Sequence, residues 1–308
     1  MAKRRIVAGS QRIPRAAHFL GFIRFFSALL FFAGSLMSVS APAASFASSP
    51  SVLFADEASG DQRTKPPAQP DENIVIQNHK GSITKENPKG GFVVDKVTGD
   101  IELIANGSIS VGLVEGNLNA VTTAGDIKIE DVRGTITAIA QVGNITIQKA
   151  LKHVFAQAGI GEIIVHSAPS AEVRNIFGGD VKILGASKWA KVVTKGNIVV
   201  VLNVEPNVEP NSSEICNLSS TEGDITLYLP ENLGADIEIR MPLSKDPKKE
   251  THIVSAFTLK KFMQKCDMEN ILTLSTSINN GGEKINLYIE KGNIFIKIHQ
   301  EDQRRKGK

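Results

Sequence analysis

From Gly99 onward the alternation of apolar and polar residues is punctuated by one recurring phrase: a glycine, a small polar or acidic residue, then Ile, Leu or Val. It stands at Gly99-Asp100-Ile101, Gly107-Ser108-Ile109, Gly116-Asn117-Leu118, Gly125-Asp126-Ile127, Gly134-Thr135-Ile136 and Gly143-Asn144-Ile145, and again at Gly161, Gly179, Gly196 and Gly223. Early copies are nine residues apart and later ones about 18, so nine is a half-period of an 18-residue unit. A fixed period in this range marks a repeat architecture, and it takes precedence over any local reading of elements.

Set in register from Gly107, Gly125, Gly143, Gly161 and Gly179, the units align in columns. The third position holds Ile109, Ile127, Ile145, Ile163 and Val181, the expected core ladder. The fifth holds Val111, Ile129, Ile147, Val165 and Ile183, and the eighth Val114, Val132, Ala150, Ala168 and Ala186. Ser110, Lys128, Thr146 and Lys182 stand between them, with Ile164 breaking the rule, so residues alternate with period two as strands over one core do. Each glycine suits a corner whose backbone angles resist a Cβ, and the Asp, Asn or Ser after it can bond back to the turn. The structural-turn set is therefore Gly107, Gly125, Gly143, Gly161, Gly179, Gly196 and Gly223.

One unit of two short strands and two corners cannot bury its apolar columns alone, but stacked units can. The pattern predicts an all-β, single-stranded β-solenoid (β-helix) with about 18 residues per rung over residues 73–230. Residues 231–298 are expected to continue or cap it as an antiparallel β region. Within them Ser244 to Glu250 reads as a charged loop, and Ser255 to Cys266 could form an amphipathic turn. Ile285, Leu287 and Ile289, then Ile294, Ile296 and Ile298, alternate around Gly292-Asn293 and predict a hairpin-like end protecting the open edge. Residues 299–308 form a charged tail.

Residues 1–43 differ in kind. They carry six basic residues (Lys3, Arg4, Arg5, Arg12, Arg15 and Arg24) and no acidic one, leaving 29 basic against 32 acidic residues beyond them. The basic surplus thus belongs to this segment, and the remainder gives no reason to expect nucleic acid. Phe25 to Val39 is an uncharged apolar run of 15 residues, short for a span that needs roughly 20. Ala41-Pro42-Ala43 follows as a small-x-small cleavage pattern. Residues 1–43 read as a signal peptide, with an uncleaved anchor as the alternative, and no membrane span is expected once they are removed. Residues 44–72, rich in Ser, Ala, Pro and charge, read as a disordered linker. Export to periplasm, cell surface or medium makes Cys216 and Cys266 a candidate disulfide, with two buried thiols as the alternative.

The stretches GDIKIEDVRGTITAIAQVGNITI (Gly125 to Ile147), STEGDITLYLP (Ser220 to Pro230) and INNGGEKINLYIEKGNIFIKI (Ile278 to Ile298) resemble an adhesin-like family of bacterial envelope proteins. That family is a domain of unknown function built from Gly-Asp-Ile turn-and-strand units, and the resemblance covers roughly residues 75–298. It implies a fold and an envelope location and supplies no catalytic residues. The segment from Gly161, with Pro169 and Glu172 near core positions, and the insertion from Lys245 to Glu269 depart from the pattern.

Known chemistries find little purchase. Asp100, Asp126, Asp180 and Asp224 interleave with Asn117, Asn144 and Asn197, but calcium-binding nonamers need several glycines and an Asp in each nine, and here each nine has one glycine and often no Asp. These residues are assigned to turns. Glu130, Asp131 and Arg133 could form an acid–base corner, yet nothing comparable recurs in that column. The six histidines show no metal-ligand spacing. Trp189 reads as core or cap. The expectation is a non-catalytic, cofactor-free envelope module, an adhesin-like or scaffolding protein whose partner is an unidentified protein or polysaccharide. A polysaccharide lyase or hydrolase on a β-helix and a structural periplasmic scaffold are the alternatives.

Overall fold

The structure, a computed structural model, describes residues 73–204, 214–242, 251–257, 263–266 and 271–299. The expected signal peptide, the linker, the loop 244–250 and the tail beyond His299 lie outside the described residues.

Period-two alternation commits the chain to strands, and among the described residues every element is one, 22 in all with no helix. One face is built from β1 (Ile74–Ile76), β3 (Phe92–Val97), β5 (Ile109–Val114), β7 (Ile127–Val132), β9 (Ile145–Ala150) and β11 (Ile163–Val165). The other is built from β2 (Ile83–Asn87), β4 (Ile101–Ala105), β6 (Leu118–Ala124), β8 (Ile136–Val142), β10 (His153–Ile160) and β12 (Ala168–Gly178). Within each face strands pair in parallel with the next but one in sequence. β13 (Val181–Thr194) rounds the corner, its first half on β11 and its second on β12. β14 (Ile198–Leu202) and β16 (Ile225–Pro230) extend the first face, and β15 (Glu214–Ser220) the second. The arrangement is all-β, parallel and layered, consistent with a β-helix or solenoid.

Register follows the sequence columns. Ile109 faces Ile127, Ile127 faces Ile145, Ile145 faces Ile163, and Ile163 faces Val181. All five are fully buried. The second face contributes smaller side chains, Ala120, Ala138 and Ala156 in one column and Ala171 and Ala190 in another, so bulky β-branched residues of the first face fill the space. Register shifts occur between Ala158 and Ile160, Ala168 and Ser170, and Ile183 and Ala186, in the region where the sequence departs from its pattern. Glu172, placed near the core by sequence, instead points outward between buried Ala171 and Val173.

The expected terminal hairpin is not formed. β17 (Ala235–Pro242), β18 (Ile253–Ser255), β19 (Met263–Cys266) and β20 (Ile271–Ile278) precede β21 (Glu283–Ile289) and β22 (Ile294–His299) in the chain. In space β21 lies between β15 and β17, parallel to both, and β22 lies between β16 and β18. The last layer is thus inserted behind the one preceding it. Alternation looks the same in a hairpin and in two strands on opposite faces, so it could not distinguish them. The antiparallel part of the end is β17–β20–β19, not β21–β22. Ile253–Ser255 and Met263–Cys266 are strands, whereas 258–262, between them, lies outside the described residues.

Candidate binding surface on the outer faces

Two systems hold the layers in register, and they define which side chains are left for other work. The first is a corner column. Gly107, Gly125, Gly143, Gly161, Gly179, Gly196 and Gly223 stack on one another, and a Cβ on Gly143 would stand 2.1 Å from the Gly125 carbonyl oxygen. Gly143 also has φ of +143°, a region that L side chains rarely adopt. Beside the glycines runs a ladder of acceptors. Asp126 Oδ1 accepts from the backbone N–H and the Nδ2 of Asn144, 18 residues on, at 2.9 and 3.2 Å. Asn144 Oδ1 accepts from the Glu162 N–H at 2.8 Å. The same geometry links Asp180 to Asn197, Asn197 to Asp224, and Asp224 to Asn293. On the opposite corner Asp100 receives Asn117, and Asn117 receives Thr135.

The second system is internal and has no counterpart in the sequence reading. Thr122 donates to the Gly107 carbonyl at 2.6 Å, Asn175 to Gly161 at 2.5 Å, Thr194 to Gly179 at 2.8 Å and Ser220 to Gly196 at 2.9 Å. All four side chains are buried, so each satisfies an inward carbonyl that would otherwise be costly to desolvate. The readable signal is a Thr or Asn 14 or 15 residues after a corner glycine, replaced by Ala140 and Ala158 in two layers and lengthened to 24 residues at Ser220. That substitution conceals the column.

The proposed acid–base corner dissolves into separate pairs. Asp131 lies 3.6 Å from Lys149, Arg133 lies 3.7 Å from Glu115, and Glu115 also meets Lys96 at 3.6 Å. Glu130 is exposed. Glu162, inside the corner column, holds Lys182 at 2.6 Å and thereby raises its pKa. Among the described residues no three His, Cys, Asp or Glu side chains stand together as a metal site. Cys216 is buried in a core column opposite Ala190 and Ile285, whereas the Cys266 side chain lies outside the described residues.

On the first face Lys297 stands over the Tyr228 and Phe295 rings, and another outward cluster of aromatic and charged side chains lies on the outer side of the second face, in the layers of β10, β12 and β13. Phe155, Glu172 and Lys191 are register neighbours there, and beside them run His153, Ser170 and Trp189. Arg174 donates Nε and Nη2 to Glu172 Oε1 at 3.1 and 2.6 Å, and its guanidinium carbon lies 5.9 Å from the Phe155 ring centre. Lys191 reaches the same carboxylate at 3.7 Å. Burial alone would raise the Glu172 pKa, but the Arg174 hydrogen bond and the charges of Arg174, Lys191 and His153 outweigh it and hold the carboxyl below its ordinary range. His153 packs against Trp189 with ring centres 5.2 Å apart, and its Nδ1 meets Ser170 Oγ at 3.1 Å. Burial lowers the His153 pKa, with Glu172 and Ser170 opposing, so the neutral ring is favoured.

Trp189 is therefore neither core nor cap but a half-buried side chain on an outward face. Its neighbour Ala190 takes the inward position. A shallow groove of about 280 Å³ lies nearby at the corner formed by Leu151, His166, Pro169, Leu184 and Asn203. The other corner carries an apolar ridge of Val142, Ile160 and Phe177, which are 52%, 54% and 59% exposed. No family model, no curated protein and no solved structure matches this chain.

Proposed function

We propose that the chain is an exported, non-catalytic β-solenoid with an 18-residue rung, an adhesin-like module of the cell envelope that binds a polymer or a protein through its outer faces. The rung size is supported by corner bonds that join residues 18 apart in successive layers. The observation that carries the binding reading is the cluster of Phe155, Arg174, Lys191, His153 and Trp189 on the outward side of one sheet face. Aromatic faces and cations held on rigid strands roughly 4.8 Å apart suit many weak contacts with an extended partner, and such contacts multiply in effect when made together. What favours binding over a carbohydrate-active enzyme is that Glu115, Asp131, Glu162 and Glu172 each lie against a Lys or Arg in their own ion pairs and not opposite one another across a cleft. Export rests on the basic, apolar and small-residue order of residues 1–43.

The test is binding of the protein lacking residues 1–43 to extracted envelope polysaccharide. Binding should weaken by roughly two- to tenfold in Phe155→Ala and in Trp189→Ala, in the range of one aromatic contact, and stay unchanged in Ser110→Ala on the other face. No binding by the unaltered protein removes the polymer reading. The exposed ridge of Val142, Ile160 and Phe177 favours a second reading, a scaffold that docks a protein partner. Loss of a captured protein in Ile160→Glu, with Phe155→Ala silent, would favour that one. Recovery of the intact chain from the cytoplasm removes export.

A further inference from the structure

The inserted layer is attached to the rest of the fold in an unusual way. β20 and β21 are consecutive, yet β17 lies between them, antiparallel to the first and parallel to the second. The connection, Asn279 to Gly282, must therefore cross the start of β17, a distance of two strand spacings or roughly 9.6 Å. It does so with four successive left-handed residues, φ being +46° at Asn279, +76° at Asn280, +80° at Gly281 and +139° at Gly282. A Cβ on Gly281 would stand 2.6 Å from Asp236 Oδ1. Short connections under such strain are the setting in which an element is exchanged between identical chains.

Nearly everything that holds β21 and β22 lies on the far side of that connection. The neighbours are β15, β16, β17 and β18, formed by residues 214–255. The Asn293 N–H donates to Asp224 Oδ1 at 2.7 Å, Ile225 N–H to the Asn293 carbonyl at 2.8 Å, and Glu290 N–H to the Ser220 carbonyl at 3.0 Å. Each of these can be made with equal geometry by a second copy. The connection's own bonds survive in part. Asn279 Nδ2 donates to the Glu231 and Leu233 carbonyls at 2.7 and 3.0 Å, both on its own side. The Glu283 N–H, bonded to the Gly234 carbonyl at 3.1 Å, would find the same carbonyl on the second chain. Exchange opens the Gly281 N–H bond to the Ile278 carbonyl and releases the left-handed backbone.

We infer that residues 283–299 are an exchangeable layer: two copies of this chain form a dimer by reciprocal insertion of β21 and β22 into the slot between β15–β16 and β17–β18. Because the slot is built by residues earlier in the chain, it is available to whichever copy of β21–β22 arrives first, and concentration during folding sets the outcome. This inference does not depend on what the outer faces bind.

The experiment refolds the full chain over a hundredfold range of concentration and measures mass by light scattering. A dimer share rising with refolding concentration is expected. Deleting Gly281 and Gly282 leaves three residue steps, about 10–11 Å fully extended, with almost no slack to arch around β17 over that roughly 9.6 Å, and should make the dimer the dominant form with strand content retained. Inserting two glycines after Gly281 should return the chain to monomer. If all three chains are monomeric at every concentration, or if the dimer share ignores connection length, the inference is overturned. Should the deletion variant fail to fold, the comparison of the unaltered chain with the lengthened one still decides, since only exchange predicts less dimer from a longer connection.

Discussion

Replacing Ile145 by alanine tests the stacking that every other conclusion uses. Ile145 is fully buried, with Ile127 and Ile163 as its register partners in the layers on either side. The substitution removes three carbon groups at about 0.8 kcal/mol each, roughly 2.4 kcal/mol of transfer free energy. Neighbours on both sides are themselves β-branched and held by strand pairing, so the void closes poorly and the total is expected near 3 kcal/mol, within the roughly 2–5 kcal/mol of such changes. In a stack where layers contact only neighbours, this loss is local. Hydrogen exchange is the fitting assay. At about 1.4 kcal/mol per tenfold, amides of β7, β9 and β11 should exchange roughly 100-fold faster where opening is limiting. Amides of β21 should change far less. Thr146→Ala, one residue on and pointing outward, should stay within about 0.5 kcal/mol. Equal effects of the two substitutions would refute the stacked column, because only a one-sided core distinguishes adjacent residues so sharply.

Three further outcomes follow from the same geometry. Gly143→Ala meets both a positive φ and the Gly125 carbonyl, whereas Gly178→Ala meets a φ of +146° with nothing within 4 Å, so the first should cost about 2 kcal/mol more than the second in urea denaturation. Asp126→Asn keeps the acceptor for Asn144 and should be close to neutral, while Asp126→Ala loses two bonds and should cost about 1 kcal/mol; equal costs would exclude the ladder role. His153 has a folded pKa below its ordinary value of 6.5, so the unfolded chain binds more protons in the interval between the two, and stability falls as pH drops from about 6.5 through the folded value. His153→Gln should flatten that part of a stability–pH curve, and an unchanged slope would place the titration elsewhere.

The core was legible because two independent constraints repeat at one spacing. A column such as Ile109, Ile127, Ile145, Ile163 and Val181 must be apolar for burial, and the glycines beside it must lack a Cβ for close approach, so both mark the same register. What could not be read is whatever depends on order along the stack. INLYI and IFIKI look alike whether they form a hairpin, a cap or an inserted layer, since each environment demands the same alternation. The paired glycines of Asn279 to Gly282 were visible, but their purpose, crossing β17, exists only once β17 has β20 on its other side. Trp189 reads as core or cap from the sequence, and the register shift between Ala168 and Ser170 turns it outward instead.

Outward columns obey a weaker rule, which makes their departures informative. One such column runs Thr84, Glu102, Asn119, Thr137, Phe155, Glu172, Lys191, Asn217 and Asn286. Its first four members are small or polar, as a solvated strand face requires and nothing more. At 155 the column turns to an aromatic ring, and Glu172, Arg174 and Lys191 bring three charges onto the adjoining strands, where their cross-strand contacts with one another and with Phe155 add only modestly to stability. The inner columns at the same layers are undisturbed, with Val154, Ala156, Ala171, Val173, Ala190 and Val192 all buried. The inside keeps its pattern in these layers, so the outward change is not imposed by the core; a like outward pairing of cation and ring recurs on β16 and β22, where Lys297 lies 5.4 Å from the Tyr228 ring centre and 5.7 Å from that of Phe295. The proposed binding surface rests on this change in β10, β12 and the second half of β13, and not on the ladder of Asp and Asn whose oxygens already serve the next layer.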